Sequence, residues 1–193
     1  MYSGYMNEIK QKYEFVGNNL GVDFINTEVN VKGELVDLLP TESDVMAWLE
    51  QANIDVDLAG GIDVGKLLAF RDKARQILTQ IIEKESIEND VIATLNNYLQ
   101  NYKMHYQLEQ LSEGYQLINQ NVCHSTADII GLLAYELANM LASDQRTYLK
   151  RCLNPDCVLM FVDNSRSHKR RWCSMDTCGN RAKVSKHYRK VKS

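Results

Sequence analysis

The sequence predicts an α+β chain, with a mainly helical N-terminal domain carrying a few short strands over residues 1–147. A small cysteine-bearing module follows over residues 148–193. Three observations predict this division. In the first part, apolar residues recur at helical spacing behind N-capping signatures. Between those helices, short segments alternate apolar and polar residues as strands do. In the second part stand four of the five cysteines and 12 of the 22 lysines and arginines.

The elements can be taken in order. Phe24-Ile25-Asn26-Thr27 follows a glycine-containing turn, and Val29 and Val31 alternate with polar residues as in a short strand. Pro40 marks a boundary. Beyond it, Thr41 and Asp44 form a T-x-x-D box ahead of Val45, Trp48 and Leu49, which predicts a helix. Asp63 caps a second, whose stripe is Leu67, Phe70, Ala74, Leu78 and Ile81. Ser86 caps a third, with Val91, Leu95, Tyr98 and Tyr102 on one face. Two strands around Ser112-Glu113-Gly114 come next. Ser125 and Asp128 open the most apolar helix, IIGLLAYELANML, expected to run to about Tyr148 and to lie at the centre of the core.

Hydrophobic residues make up 45% and charged residues 24%, an ordinary globular balance. The apolar runs are too short for a membrane helix, which needs about 18 or more such residues. The opening MYSGYMNEIKQKYEF lacks the apolar stretch of a secretory leader. A cytoplasmic protein with no membrane partner is the expectation, and in a reducing compartment clustered cysteines favour metal over disulfides. P-loop, G-x-S-x-G, H-E-x-x-H and G-x-G-x-x-G patterns do not occur, so no enzyme is expected, an enzyme in the N-terminal domain being the least favoured alternative.

The net charge of −3 conceals a split. Residues 1–145 hold 9 basic and 22 acidic residues, a net of −13; residues 146–193 hold 13 and 3, a net of +10. A basic segment on an acidic body points to a polyanion partner, the alternative being that the segment docks on the body itself.

Cys152 and Cys157 make one C-x4-C pair and Cys173 and Cys178 another, with fifteen residues between the pairs. Two close pairs on two turns supply the four soft ligands that tetrahedral zinc takes. Asn154-Pro155-Asp156 provides the first turn. Val158–Val162 reads as a strand, Asp163-Asn164-Ser165 as a turn, and Lys169-Arg170-Arg171-Trp172 as a second strand into Cys173. Gly179-Asn180-Arg181-Ala182-Lys183 opens a helix. A knuckle, a hairpin and a helix whose start supplies ligands form a treble-clef-like zinc finger, with one structural Zn2+. Reduced cysteines without metal and a redox role are the alternatives. Cys123 reads as a buried thiol, and His168 as a surface residue or phosphate contact.

Cations crowd this module. Arg166, Lys169, Arg170 and Arg171 lie on the hairpin; Arg181, Lys183, Lys186, Arg189 and Lys190 lie on the helix, whose apolar stripe is Val184, Tyr188 and Val191. Together they predict a surface that tracks nucleic-acid phosphates. DNA is the expected partner; an RNA-binding or protein-interaction zinc module is the alternative, since small zinc folds serve all three purposes.

The segment WCSMDTCGNRAKVSKHYRK, with Cys178-Gly179-Asn180-Arg181 at its centre, resembles the CGNR zinc finger. RCLNPDCVLMFVDNSRSHKRR fits the first half of that family. The preceding part resembles the ABATE domain through Asp23-Phe24-Ile25-Asn26-Thr27, Asp37-Leu38-Leu39 and Asp44-Val45 with Trp48-Leu49. The resemblance implies a bacterial transcription regulator that responds to stress or a ligand and binds DNA through the finger. One finger per chain leaves the body to sense an effector or to form a homodimer. Asp23, Asn26, Thr27 and Arg71 are the polar residues nominated for a small-molecule pocket, against the alternative that they cap turns and pair within the fold.

Overall fold

The structure, a computed structural model, describes residues 13–84, 89–100, 102–103, 106–119 and 122–184. Packing divides the chain into two compact units. One joins Met1–Leu39 with Met140–Ser193, and the other is Pro40–Asn139.

The Pro40–Asn139 unit is helical for the reasons its sequence suggests. Helix α2 (Glu42–Gln51) starts at Thr41, whose Oγ1 accepts from the Asp44 amide at 3.2 Å while donating to Asp44 Oδ2 at 2.6 Å. Helix α3 (Val64–Lys84) is capped by Asp63, which accepts from the Lys66 amide at 3.0 Å. Leu67, Phe70, Ala74, Leu78 and Ile81 are all buried on it. Helix α4 (Asn89–Leu99) buries Val91 and Leu95, and Tyr98 meets Phe70 edge-on at 4.9 Å. Ser86, the expected cap, lies outside the described residues.

Strands β3 (Tyr106–Leu111) and β4 (Gly114–Asn119) pair antiparallel about the Ser112-Glu113 turn, where Gly114 takes φ +100. Helix α5 (Thr126–Ala142) begins with the reciprocal Ser125–Asp128 bonds. It stops short of the expected Tyr148. Ser143 donates its hydroxyl to the Met140 carbonyl and accepts the Gln145 amide, which closes the α-helix and starts a 3-10 segment over Asp144–Tyr148. Cys123 is buried and bridges to Val56, as a structural thiol. No helix among the described residues is long and apolar enough to cross a membrane.

The other unit is built around one short strand. Helix α1 (Leu20–Ile25) is capped by Asn19, which accepts from the Val22 amide at 3.1 Å. It leads into β1 (Glu28–Val31), which pairs with β2 (Glu34–Asp37). Sequence reading identifies β1 alone. The signal for β2 is the Lys32-Gly33 turn, where both residues take positive φ, as the tight hairpin turn requires.

Strand β5 (Leu149–Arg151) pairs antiparallel with β6 (Met160–Val162), matching Lys150 with Phe161. The expected partner of β6 was Lys169–Trp172, and this is corrected: that segment forms no strand. Its backbone groups go elsewhere, the Arg170 amide to Asp163 Oδ2 at 2.8 Å and the Arg171 carbonyl to the Leu153 amide at 2.9 Å.

The free edge of β6 is taken by residues 17–26 instead. The Val162 amide donates to the Gly17 carbonyl at 2.8 Å, and Asn18 Nδ2 donates to the Val162 carbonyl at 2.8 Å. Asn26 donates to the Met160 carbonyl at 2.8 Å and accepts the Met160 amide at 2.9 Å. Two asparagine side chains and one carbonyl thus stand in for a third strand, so the strand edge is covered rather than open. Packing therefore groups residues on both sides of the 147/148 boundary drawn from sequence.

Candidate metal centre and cationic surface

Cys152 follows β5 directly, and its amide donates to the Leu159 carbonyl at 3.0 Å. The loop between them folds back because Asn154 accepts the Asp156 amide on its side chain and the Cys157 amide on its carbonyl. Cys157 thereby returns beside Cys152. The second pair is placed by a π-helical turn, Met175–Gly179, with Ser174 accepting the Asp176 amide at 3.2 Å. Described helix continues from residue 180 to residue 184.

All four sulfurs lie within 4.8 Å of one another. Cys157 and Cys173 are 3.8 Å apart, and Cys173 and Cys178 are 3.6 Å apart. Four sulfurs held tetrahedrally on zinc stand about 3.8 Å from one another, given Zn–S near 2.3 Å. The residues therefore fit the ion. Their acid–base chemistry points the same way. A hydrogen bond from Cys173 holds the Cys157 thiol down at about 6, and that same bond pushes Cys173 far above its ordinary range. Burial pushes Cys152 up to about 11. Such a cluster cannot release all its protons unless a cation balances the thiolates, which is what a dication supplies when bound.

Further donors orient the sulfurs. Asn154 Nδ2 donates to Cys178 Sγ at 3.3 Å, and the Cys173 amide donates to Cys152 Sγ at 3.4 Å. Leu159, Phe161 and the half-buried Val16, Val29, Val158 and Trp172 pack around the cysteines. Sequence reading missed Asn154 as a support for the ligands, although its place in the Asn-Pro-Asp turn was legible.

The loop after β6 rests on Asp163, which is fully buried. Its carboxylate accepts Lys150 Nζ at 2.7 Å, the Ser165 hydroxyl at 2.6 Å and amide at 3.1 Å, and the Arg170 amide. Burial alone would raise this carboxyl, but Lys150 and Ser165 outweigh it and hold it well below the ordinary carboxylate range. His168, at φ +49, stacks on Tyr148 at 3.7 Å, and its Nδ1 bonds the Asp163 carbonyl.

The nominated cations separate into two kinds. Arg170 is turned inward. Its guanidinium lies 4.2 Å over the Phe161 ring and donates to the carbonyls of Trp172 at 2.9 Å, Val16 at 3.0 Å and Cys173. Arg166, Lys169, Arg171, Arg181 and Lys183 are exposed. Lys186, Arg189 and Lys190 lie outside the described residues, as do Tyr188 and Val191 of the helix stripe.

The residues nominated for a pocket are all buried. Asp23 Oδ1 accepts the Gly17 amide at 2.7 Å; burial raises its carboxyl to about 6 against the pull of the Gly17 and Val16 amides and of Arg170. Asn26 holds Met160, and the Thr27 hydroxyl donates to the Phe24 carbonyl at 2.7 Å. Arg71 lies on α3 in the other unit, with Nε 3.9 Å from Asp72 Oδ1. One cavity borders the metal centre. It measures about 250 Å3 and is lined by, among others, Asn26, Val29, Leu159, Cys157, Thr177 and Arg181.

A cysteine knuckle on a β-hairpin, joined through two further cysteines to the start of a helix, defines a four-cysteine zinc finger of treble-clef-like form. Residues 148–191 match the CGNR zinc finger. Residues 18–144 match the ABATE family, described as "Putative stress-induced transcription regulator". That match spans more than half of the chain, so the protein belongs to the ABATE family and carries a CGNR zinc finger after it. Among curated proteins, none matches the chain. Both families are of regulator and zinc-finger type rather than enzymes.

Proposed function

We propose that the chain is a cytoplasmic, DNA-binding transcription regulator whose zinc finger makes the DNA contact. The observation that supports this reading is the sorting of the finger's cations. Arg170 is used inside the fold, while Arg166, Lys169, Arg171, Arg181 and Lys183 stand exposed on the two segments that the four sulfurs join. Exposed cations on a metal-braced scaffold bind a phosphate backbone without ordering cost in the scaffold. The zinc is structural, since four cysteines close its shell and leave no position for a reacting water.

Fluorescence anisotropy with duplex DNA tests the reading. Binding should weaken steeply with salt, and structured RNA at matched salt should compete poorly. RNA that displaces the duplex readily would favour the RNA-binding alternative, and no binding to either would leave the finger as a protein-interaction module. Mapping the bound DNA across a genome would then give the site sequence.

An N-terminal body that senses a small molecule is the second half of the proposal. The 250 Å3 cavity supports it, because Asn26 of the body and Arg181 of the finger both line it. A ligand seated there would touch a DNA-facing cation directly.

A further inference from the structure

The four ligands of the metal centre are not equally protected. Cys152, Cys173 and Cys178 are buried at 7%, 1% and 4% exposure, while Cys157 is only half-buried. Cys157, Cys173 and Cys178 all line the cavity beside the centre, whose volume of about 250 Å3 admits a small oxidant, and of these three Cys157 is the one that is not buried. Its Sγ stands 3.8 Å from Cys173 Sγ. The fifth cysteine, Cys123, is buried elsewhere, and burial pushes its thiol up to about 11, so at neutral pH it is protonated and poorly nucleophilic.

We infer that Cys157 is a site of oxidative modification, and that hydrogen peroxide entering the cavity converts Cys157 and Cys173 into a disulfide and opens the metal centre. The Cys157 thiolate attacks one peroxide oxygen; the O–O bond breaks, giving the sulfenic acid and hydroxide. The Cys173 thiolate then attacks the Cys157 sulfur, forming the S–S bond and expelling a second hydroxide. Two protons from solvent convert the two hydroxides to water. Two thiolates are oxidised and one peroxide is reduced, so the electrons balance. The disulfide removes two of the four ligands, and two remaining thiolates hold zinc weakly.

The consequence follows from geometry. Cys178 stands at the end of the π-helical turn that sets the start of the final helix, and Cys173 stands just before it. Oxidation would therefore release the segment carrying Arg181. This chemistry depends on the metal centre and not on what the finger binds, so its test reads metal and thiols rather than DNA.

Zinc-loaded full-length protein is treated with hydrogen peroxide while a chromogenic chelator reports free zinc, and the protein is then alkylated and peptide-mapped. The expected result is one zinc released for each pair of thiols lost, with Cys157–Cys173 the first linked pair and Cys123 still free. Dithiothreitol with added zinc should restore the centre. Because Cys157→Ser removes a ligand and can fail to fold, limiting iodoacetamide on the untreated protein gives an independent reading. Cys157 should be alkylated faster than the other ligands by about ten-fold or more, in line with thiolate access governing reactivity. Thiol loss without zinc release, a Cys152–Cys157 or Cys173–Cys178 first link, earlier oxidation of Cys123, or even alkylation of all four ligands would overturn the inference.

Discussion

Asn26 holds both polar groups of Met160, accepting its amide at 2.9 Å and donating to its carbonyl at 2.8 Å. The two residues are 134 positions apart in the chain. One belongs to the segment matched by the ABATE family and the other to the CGNR finger. Because this pairing is buried, the strand that precedes the second half of the zinc centre depends on a side chain from the first forty residues.

Removing that side chain should be costly. Asn26→Ala leaves a buried amide and a buried carbonyl without partners, each worth about 1–3 kcal/mol, so a loss of about 2–4 kcal/mol in urea unfolding is expected. The same variant should yield its zinc to a chelator faster than the parent. Unchanged stability would show that water can replace Asn26 at the edge of β6.

Gly17 offers a second test of the same junction. A Cβ there would stand 2.8 Å from Val22 Cγ1 and 2.9 Å from Asp23 Oδ1, and both neighbours are buried and held. The Gly17 amide and carbonyl are also both used, by Asp23 and Val162. Gly17→Ala should therefore destabilise by about 1–3 kcal/mol, as overpacked sites do. Thermal unfolding at saturating zinc would measure it.

Asp23 should make stability depend on pH in the less usual direction. Burial raises its carboxyl from 3.8 to about 6. An acid whose folded value lies above its unfolded one takes up a proton on folding, so its contribution is fully present below pH 3.8 and is lost as pH rises through about 6. Asp23→Asn should then be more stable than the parent at pH 7.5, by about 1–2 kcal/mol, and the gap should narrow as pH falls below about 6 and close only below 3.8. Comparing urea midpoints of the two proteins cancels the thiolate protonation they share. A parent that is the more stable at pH 7.5 would show that the Gly17 and Val16 donors and Arg170 outweigh burial.

At the metal centre, Cys173→Ser should lose zinc and unfold the finger, read by metal analysis and circular dichroism. Asn154→Ala is the subtler case. Its Nδ2 donates to Cys178 Sγ, and losing such a supporting bond typically costs about 10–100-fold in metal affinity. Chelator competition would read that loss, with near-native circular dichroism at saturating zinc.

What was legible in the sequence, and what was not, follows from the range of the interaction. The helices announce themselves locally. Thr41–Asp44 and Ser125–Asp128 bond across three residues, and apolar stripes repeat at helical spacing. The sulfur ligands are legible because two identical spacings are rarely accidental. Strand β5 is three residues long and continues a helical run, so no period separates it from the helix before it. The covering of β6 by Asn18 and Asn26 leaves no pattern at all, since an asparagine that ends a strand edge looks like one that ends a turn. Burial of Asp23, Asn26 and Thr27 was not predicted, only their polarity in an apolar neighbourhood.

Charge counting fails in the same way at positions 169–171, and this yields the sharpest test of the proposed DNA contact. Lys169, Arg170 and Arg171 are equivalent cations in the sequence, yet Arg170 alone is fastened over Phe161 and to the carbonyls of Val16, Trp172 and Cys173. Arg170→Ala should lower stability and zinc retention, because three carbonyls lose a charged donor. Arg171→Ala should leave both near the parent values while weakening duplex binding at all sequences alike. If six cations meet phosphates, the parent slope of log affinity against log salt should be roughly −5, and losing Arg171 should reduce it by about 0.9. Arg170→Lys sharpens the contrast, since it keeps the charge but cannot reach several carbonyls from one planar group. If Arg170→Lys matched the parent in stability and Arg171→Ala kept the full salt slope, the inward and outward roles assigned to the two arginines would both be wrong.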